Sequence, residues 1–346
     1  MTNGQNGAQE GGLALVLSGG GAPAAYFGAG VALALDRFGL RPRIYSGVSA
    51  GALNAGALAS GVSPQRLRDL WQSVGWSRMF RPRYDLWRLV DPRALLRRPA
   101  NPVEYLLGAV GWDWVLSVAP ARETLVELLG GQAGFSVPPD RTLIVTAVDE
   151  EAGEVVRFVS RLPSKERADT GPEQPAFREV AEPDVDLLLA SAAVPLLFPP
   201  GIPSGGMAGR AYTDAGLIAN TPLAPALAYR PEAALVVAGA GCPRPAPAPA
   251  GLAEALALTV QNVAHYALIA DYRHALTVNQ LAAAAPDATP KTVVDLRLLE
   301  PADLPFSLTG FLDFAPDQAA RLIEYGRAQA MELLNEWPTA QRLATP

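Results

Sequence analysis

"LALVLSGGGAPAAYFGAG", residues 13–30, runs straight into "VALALDRFGLRPRIYSGVSAGALNAGALAS", residues 31–60. The fold class is decided in these two stretches. Leu13–Leu17 is an apolar run of strand length that ends at three consecutive glycines, Gly19–Gly21. A helix is predicted over Ala24–Asp36, stopped near Gly39 and Pro42. Arg43–Val48 reads as a second short strand, and Ala50–Ser60 as a helix of small residues able to pack closely on a sheet. The order β-α-β-α predicts a parallel sheet covered by helices.

Strand, glycine loop and helix together aim backbone N–H groups at negative charge. Three charges are conceivable. Gly19, Gly21 and Ala24 satisfy the dinucleotide pattern G-x-G-x-x-G/A, but the second strand ends without the acid that would bind a ribose hydroxyl. A P-loop needs Gly-Lys-Ser/Thr after the glycines, and none follows. The third charge is a transient oxyanion. "GVSAG", Gly47–Gly51, is G-x-S-x-G between a predicted strand and a predicted helix, the context of a nucleophile elbow. Gly47 and Gly51 leave room for the turn and for substrate, and Ser49 comes to a helix N-terminus where negative charge is favoured. Parallel neighbouring strands would bring the glycine loop beside Ser49, as amide donors for a tetrahedral oxygen.

A serine hydroxyl needs a base. Ser49, Asp214 and His265 follow the α/β-hydrolase order, but that fold places several strands before its elbow and here there is one. Both histidines, His265 and His274, lie in a long helical segment and read as helix-face residues. Asp214, in "YTDAGLIANTP", sits in a small-residue loop after a short strand, where an aspartate is either a turn former or a base.

The 346 residues allow one large α/β domain or two smaller ones, and 49 % apolar against 18 % charged residues predicts a sizeable core. A net charge of −6 argues against a nucleic-acid partner. The lone Cys242 forms no internal disulfide and fits a reducing cytoplasm. No zinc-like ligand spacing occurs, so no metal is expected. Residues 1–12 read as a disordered polar tail without the features of a signal peptide. "GLAEALALTVQNVAHYALIA" comes nearest to a spanning segment, but Glu254, Gln261, Asn262 and His265 interrupt it, so any membrane contact is expected to be peripheral.

Residues 61–135 read as a helical insertion and hold five of the six tryptophans: Trp71, Trp76, Trp87, Trp112 and Trp114. These suit either a membrane-facing lid or packing onto the core, and packing needs no special cause. "RTLIVTAV" and "EVVRFVS" read as strands around the turn "DEEAG", residues 161–183 as an exposed loop, and "AALVVAGAG" as a buried strand. Residues 242–250 are a proline-rich linker, helices are expected over roughly 251–282 and 316–336, and 337–346 read as a tail.

Four blocks in order, "LVLSGGGAPAA", "GVSAGAL", "ASAAVPLLFPP" and "TDAGLIANTPL", resemble the patatin-like phospholipase family. "LIVTAVDEEAGEVVRFV" is similar to the family's central hairpin and "FLDFAPDQAARLIEYGRAQA" to the closing helix of many bacterial members. The likeness spans residues 13–336 as a single domain. It implies a three-layer α/β/α fold with a central, mostly parallel sheet and hydrolysis of an acyl ester, typically of a lipid. It implies a Ser-Asp dyad without histidine: Ser49 as nucleophile, Asp214 as general base, and the amides of Gly19, Gly20, Gly21 and Ala50 as the oxyanion hole. Gly47, Gly51 and Gly216 flank these residues. No cofactor is implied.

Two departures stand out. Pro23 replaces the basic residue usual after the glycines, with Ala24 in place of the next glycine, which removes a charge from the oxyanion site and predicts a slower enzyme or another acyl acceptor. Asp214-Ala215-Gly216 replaces Asp-Gly-Gly or Asp-Gly-Ala, a strain if residue 215 takes positive φ. An acyltransferase or another biosynthetic acyl-handling enzyme is one alternative on this fold. A non-catalytic lipid-binding descendant is the other.

Overall fold

The computed structural model describes residues 11–84, 113–163, 177–203, 209–239, 241, 248–249, 251–285, 291–302 and 308–344. The chain opens with β1 (Leu13–Leu17), α1 (Gly21–Arg37), β2 (Ile44–Val48), α2 (Ala50–Ser60) and α3 (Pro64–Ser73). β3 (Arg81–Pro82) and β4 (Leu116–Ser117) form a small antiparallel pair ahead of α4 (Ala119–Leu128). β5 (Thr142–Asp149) and β6 (Glu154–Val159) form a hairpin; β7 (Phe177–Glu179), α5 (Val185–Ser191) and β8 (Tyr212–Asp214) follow. The remainder is α6 (Leu223–Leu227), β9 (Ala233–Val237), α7 (Leu252–Ala284), β10 (Asp295–Leu299), α8 (Leu308–Phe311), α9 (Pro316–Asn335) and α10 (Pro338–Ala344).

One sheet runs β10-β9-β1-β2-β5-β6-β7, with β8 on β5. β10, β9, β1, β2 and β5 are parallel, while β6 and β8 run antiparallel to β5. β1 and β2 are buried at every position, as strands covered on both faces must be. Alternate residues serve two cores. Leu13, Leu15, Leu17, Leu143 and Val145 meet α1, α2, α3, α5 and α9, whereas Ala14, Val16, Ile44, Ile144 and Leu296 meet α6 and α7. The result is the expected three-layer, mostly parallel α/β/α architecture.

Small residues let the layers approach closely. A side chain at Gly326 of α9 would strike the Phe27 carbonyl of α1, and one at Gly30 would strike Ile323. Beneath this contact Asn54 donates to the Ala25 carbonyl at 2.7 Å and accepts from the Trp71 indole at 2.9 Å, so a fully buried polar group is satisfied on both sides.

Several local readings change. Helix α1 starts at Gly21, three residues earlier than its apolar pattern suggests. The 161–183 stretch contains β7, which pairs with β6, and β10 extends the sheet beyond β9. The 61–135 stretch includes the β3/β4 pair beside its helices, and residues 85–112, with Trp87 and Trp112, lie outside the described residues. Trp71 is packed into the core, while Trp114 stacks under the Arg83 guanidinium at 4.3 Å. Residues 337–346, read as a tail, carry α10, with Trp337 buried and bonded to Asp295 at 2.7 Å. Residues 1–10, Cys242 and most of the proline-rich linker lie outside the described residues.

Candidate active site

Strand register brings the distant sequence blocks together. β1 and β2 lie side by side with Leu17 opposite Gly47, so the glycine loop and the Ser49 turn leave the same sheet edge. β2 pairs with β5 as far as Val48 opposite Thr146. β5 runs three residues further, and β8 takes up that overhang, with Asp214 opposite Ala147. β6 already occupies the other edge of β5, so β8 is forced in line with β2. Asp214 therefore arrives just past the end of β2, where Ser49 begins.

Ser49 has φ 56° and ψ −131°, a strained turn for a residue with a side chain. It immediately precedes α2, so its hydroxyl stands at the helix N-terminus. The turn is tight enough that a side chain at Gly51 would strike the carbonyls of Leu17 and Ser18. Ser191 braces the turn. Its hydroxyl donates to the Thr146 carbonyl at 2.7 Å and accepts the Ser49 N–H at 3.0 Å. The one hydroxyl proton is spent on Thr146, so the oxygen is left to receive the Ser49 amide.

The Asp214 carboxylate accepts from the Gly216 amide at 2.6 Å, and the Ser49 hydroxyl lies near enough to favour its ionised form. Burial pushes its pKa from 3.8 to about 6, against the downward pull of those two groups. Ala215 is buried and is not among the residues with positive φ, so the alanine at this position is unstrained. His265 is elsewhere engaged: its Nδ1 lies 2.9 Å from the Glu300 carboxylate.

The glycine loop holds conformations that favour glycine, φ 152° at Gly20 and φ 65° at Gly21. The Gly19 amide donates to Asn220 Oδ1 at 3.1 Å, which takes it away from any oxyanion. Gly21 and Ala22 open α1, where amides have no acceptor within the helix. Pro23 falls in the same first turn, a place where its missing N–H costs nothing.

Sequence reading did not single out Ser191 or Asn220. Both lie inside blocks it did quote, "ASAAVPLLFPP" and "TDAGLIANTPL", and an isolated serine or asparagine carries no period or spacing of its own.

A mostly parallel α/β/α sheet thus carries a strained serine turn, a glycine loop and a buried aspartate at one edge. A family model described as patatin-like phospholipase matches residues 15–227, and the chain belongs to that family. Family membership makes it a lipid hydrolase by class. No curated protein sequence matches the chain. Among solved structures, VipD from Legionella pneumophila is 16 % identical over 94 % of this chain and 67 % of that one, with a TM-score of 0.43. The type III effector protein ExoU is 15 % identical over 97 % of this chain, with a TM-score of 0.34, and the chain spans 54 % of its length. Among the described residues no helix is long and apolar enough to cross a membrane, and no group of three His, Cys, Asp or Glu side chains could hold a metal ion.

Proposed function

We propose that the protein is a serine acyl hydrolase of the phospholipase A or lipid-esterase type, working through Ser49 and Asp214 without histidine. The observation that carries this reading is the placement of Asp214 by the β5 overhang at the end of β2, where Ser49 begins, with its buried carboxylate raised to a pKa of about 6. A carboxylate so tuned is ionised at neutral pH yet basic enough to take a proton. Ser49 Oγ attacks the ester carbonyl carbon while its proton passes to Asp214. The oxygen of the tetrahedral intermediate is received by the amides of Gly20, Gly21 and Ala50, with Gly19 committed to Asn220. As the intermediate collapses, the C–O bond to the leaving alcohol breaks and Asp214 returns the proton to that oxygen. Water then gives its proton to Asp214 and attacks the acyl-serine, and the proton returns to Ser49 Oγ as the acid departs. The exposed Leu217 and Ile218, directly after the aspartate loop, offer apolar surface to an acyl chain. Residues 13–336 act as one domain on this reading, supported by β10 pairing on β9 and by α9 packing on α1.

Intact-mass analysis after treatment with a fluorophosphonate tests the reading. One adduct is expected on the wild type, none on Ser49→Ala, and slowed labelling on Asp214→Asn. No adduct on folded wild type would refute it.

A further inference from the structure

Three consecutive residues after the aspartate loop each hold a different part of the edge that carries Ser49. The Ser46 hydroxyl of β2 donates to the Pro222 carbonyl at 2.7 Å. The hydroxyls of Ser18 and Thr221 are 3.2 Å apart. The Gly19 amide donates to Asn220 Oδ1 at 3.1 Å, and Asn220 is buried to 8 % exposure.

We propose that Asn220 is a positioning residue whose carboxamide ties the glycine loop to the aspartate loop and so sets the direction of the Gly20 and Gly21 amides. This rests on the Ser49–Asp214 reading above. The geometry is specific. A side-chain carbon at Gly19 would lie 2.8 Å from Asn220 Oδ1 and 2.9 Å from Ser49 Cβ. One at Gly216 would lie 2.9 Å from Asp214 Oδ1 and 3.4 Å from Asn220 Oδ1. The Asn220 oxygen is thus lodged between the backbone beside Ser49 and the backbone beside Asp214.

Ser18 and Thr221 bond through side chains and hold only the end of β1. Asn220 grips the peptide N–H that begins the glycine run. The next two peptide units have no side chains to anchor them and sit at φ 152° and 65°. Glycine loses more conformational freedom on ordering than any other residue, so a donor array built of glycines needs an external tie. Oxyanion donors stabilise a transition state only when they are already aimed at it. Amide chemistry also suits the position. A carboxylate in place of Asn220 would keep the acceptor oxygen but would raise the pKa of Asp214 by like-charge repulsion. Among the described residues the groups acting on Asp214 are neutral: the Ser49 hydroxyl and the Gly216 amide.

The full chain, with Asn220→Ala and Asn220→Asp, separates this from a structural role. Turnover of p-nitrophenyl butyrate is measured across pH, and backbone hydrogen exchange is measured over residues 13–26. Asn220→Ala is expected to lose about a hundredfold in kcat with KM held within about threefold. Its glycine-loop amides should exchange at least about tenfold faster. Asn220→Asp should keep the slow exchange and recover much of kcat at high pH, with the acidic limb of the profile moved upward. Unchanged exchange in Asn220→Ala, or unchanged kcat, overturns the proposal. So does an Asn220→Asp variant as impaired as Asn220→Ala at every pH. An inert wild type that fails to label with a fluorophosphonate overturns the Ser49–Asp214 reading instead, and the exchange comparison alone then decides whether Asn220 orders the loop.

Discussion

The backbone N–H of Ser49 donates to the hydroxyl of Ser191, 142 residues away, at 3.0 Å. The nucleophile candidate is therefore held by its own amide, independently of what its hydroxyl does. Ser191→Ala removes the acceptor for Ser49 and the donor for the Thr146 carbonyl, both in a buried region. A loss of about 1–3 kcal/mol in unfolding free energy is expected in urea titrations, with slower fluorophosphonate labelling of the surviving fold.

Asp214 links activity to pH. Its carboxylate accepts a proton only when ionised, so hydrolysis should rise with pH and reach half its plateau near its pKa of about 6. A pH profile of kcat on a soluble ester checks this. An acidic limb centred near the ordinary carboxylate pKa of 3.8 would contradict it.

The same group weakens the fold. A folded-state pKa raised from 3.8 to about 6 means that, between those values, the native chain binds more protons than the unfolded one. Stability then falls as pH rises through that window, and the loss is complete above about 6. The two-unit rise corresponds to about 3 kcal/mol. Asp214→Asn should accordingly raise the melting temperature at pH 8 much more than at pH 4, while slowing hydrolysis at least about a hundredfold. Thermal melts at the two pH values compare the variants directly.

His265 Nδ1 lies 2.9 Å from the Glu300 carboxylate, and the groups acting on Asp214 are Ser49 and Gly216. His265→Ala should leave kcat within about twofold of wild type, measured on the same ester. A loss of several hundredfold would restore a Ser-Asp-His triad.

Asn54 carries stability without chemistry. Asn54→Ala strands the Trp71 indole N–H in the core and removes the second donor to the Ala25 carbonyl, which keeps its bond within α1. A cost of about 2–4 kcal/mol is expected in denaturant melts, with the labelling rate of the folded fraction unchanged.

Strand-length apolar runs, glycine punctuation and a G-x-S-x-G turn made the first β-α-β-α unit legible from sequence, because local chemistry alone shapes those elements. The short strands β7 and β10 were not legible: β7 is the three residues "FRE" and β10 the charge-interrupted "DLRLL", without the apolar run that marked β1, and their edges exist only against β6 and β9. Helix α10 was also hidden, since what holds it is the burial of Trp337 and Ala340 and the bonds of Trp337 and Thr339 to Asp295, contacts with no local signal.

By itself, the sequence determined which residues could act: a serine at a turn between glycines, an aspartate in a loop of small residues, and a run of glycines with no lysine to hold a phosphate. Tertiary structure decided which of them meet and what each has left to give. The overhang of β5 past β2 delivers Asp214 to Ser49, and burial there raises its pKa to about 6. Asn220 claims the Gly19 amide, so the nearest glycine is withdrawn from the donor set. Hydrogen bonds are shared out in space, and a backbone amide offers one proton to whichever acceptor the fold puts before it.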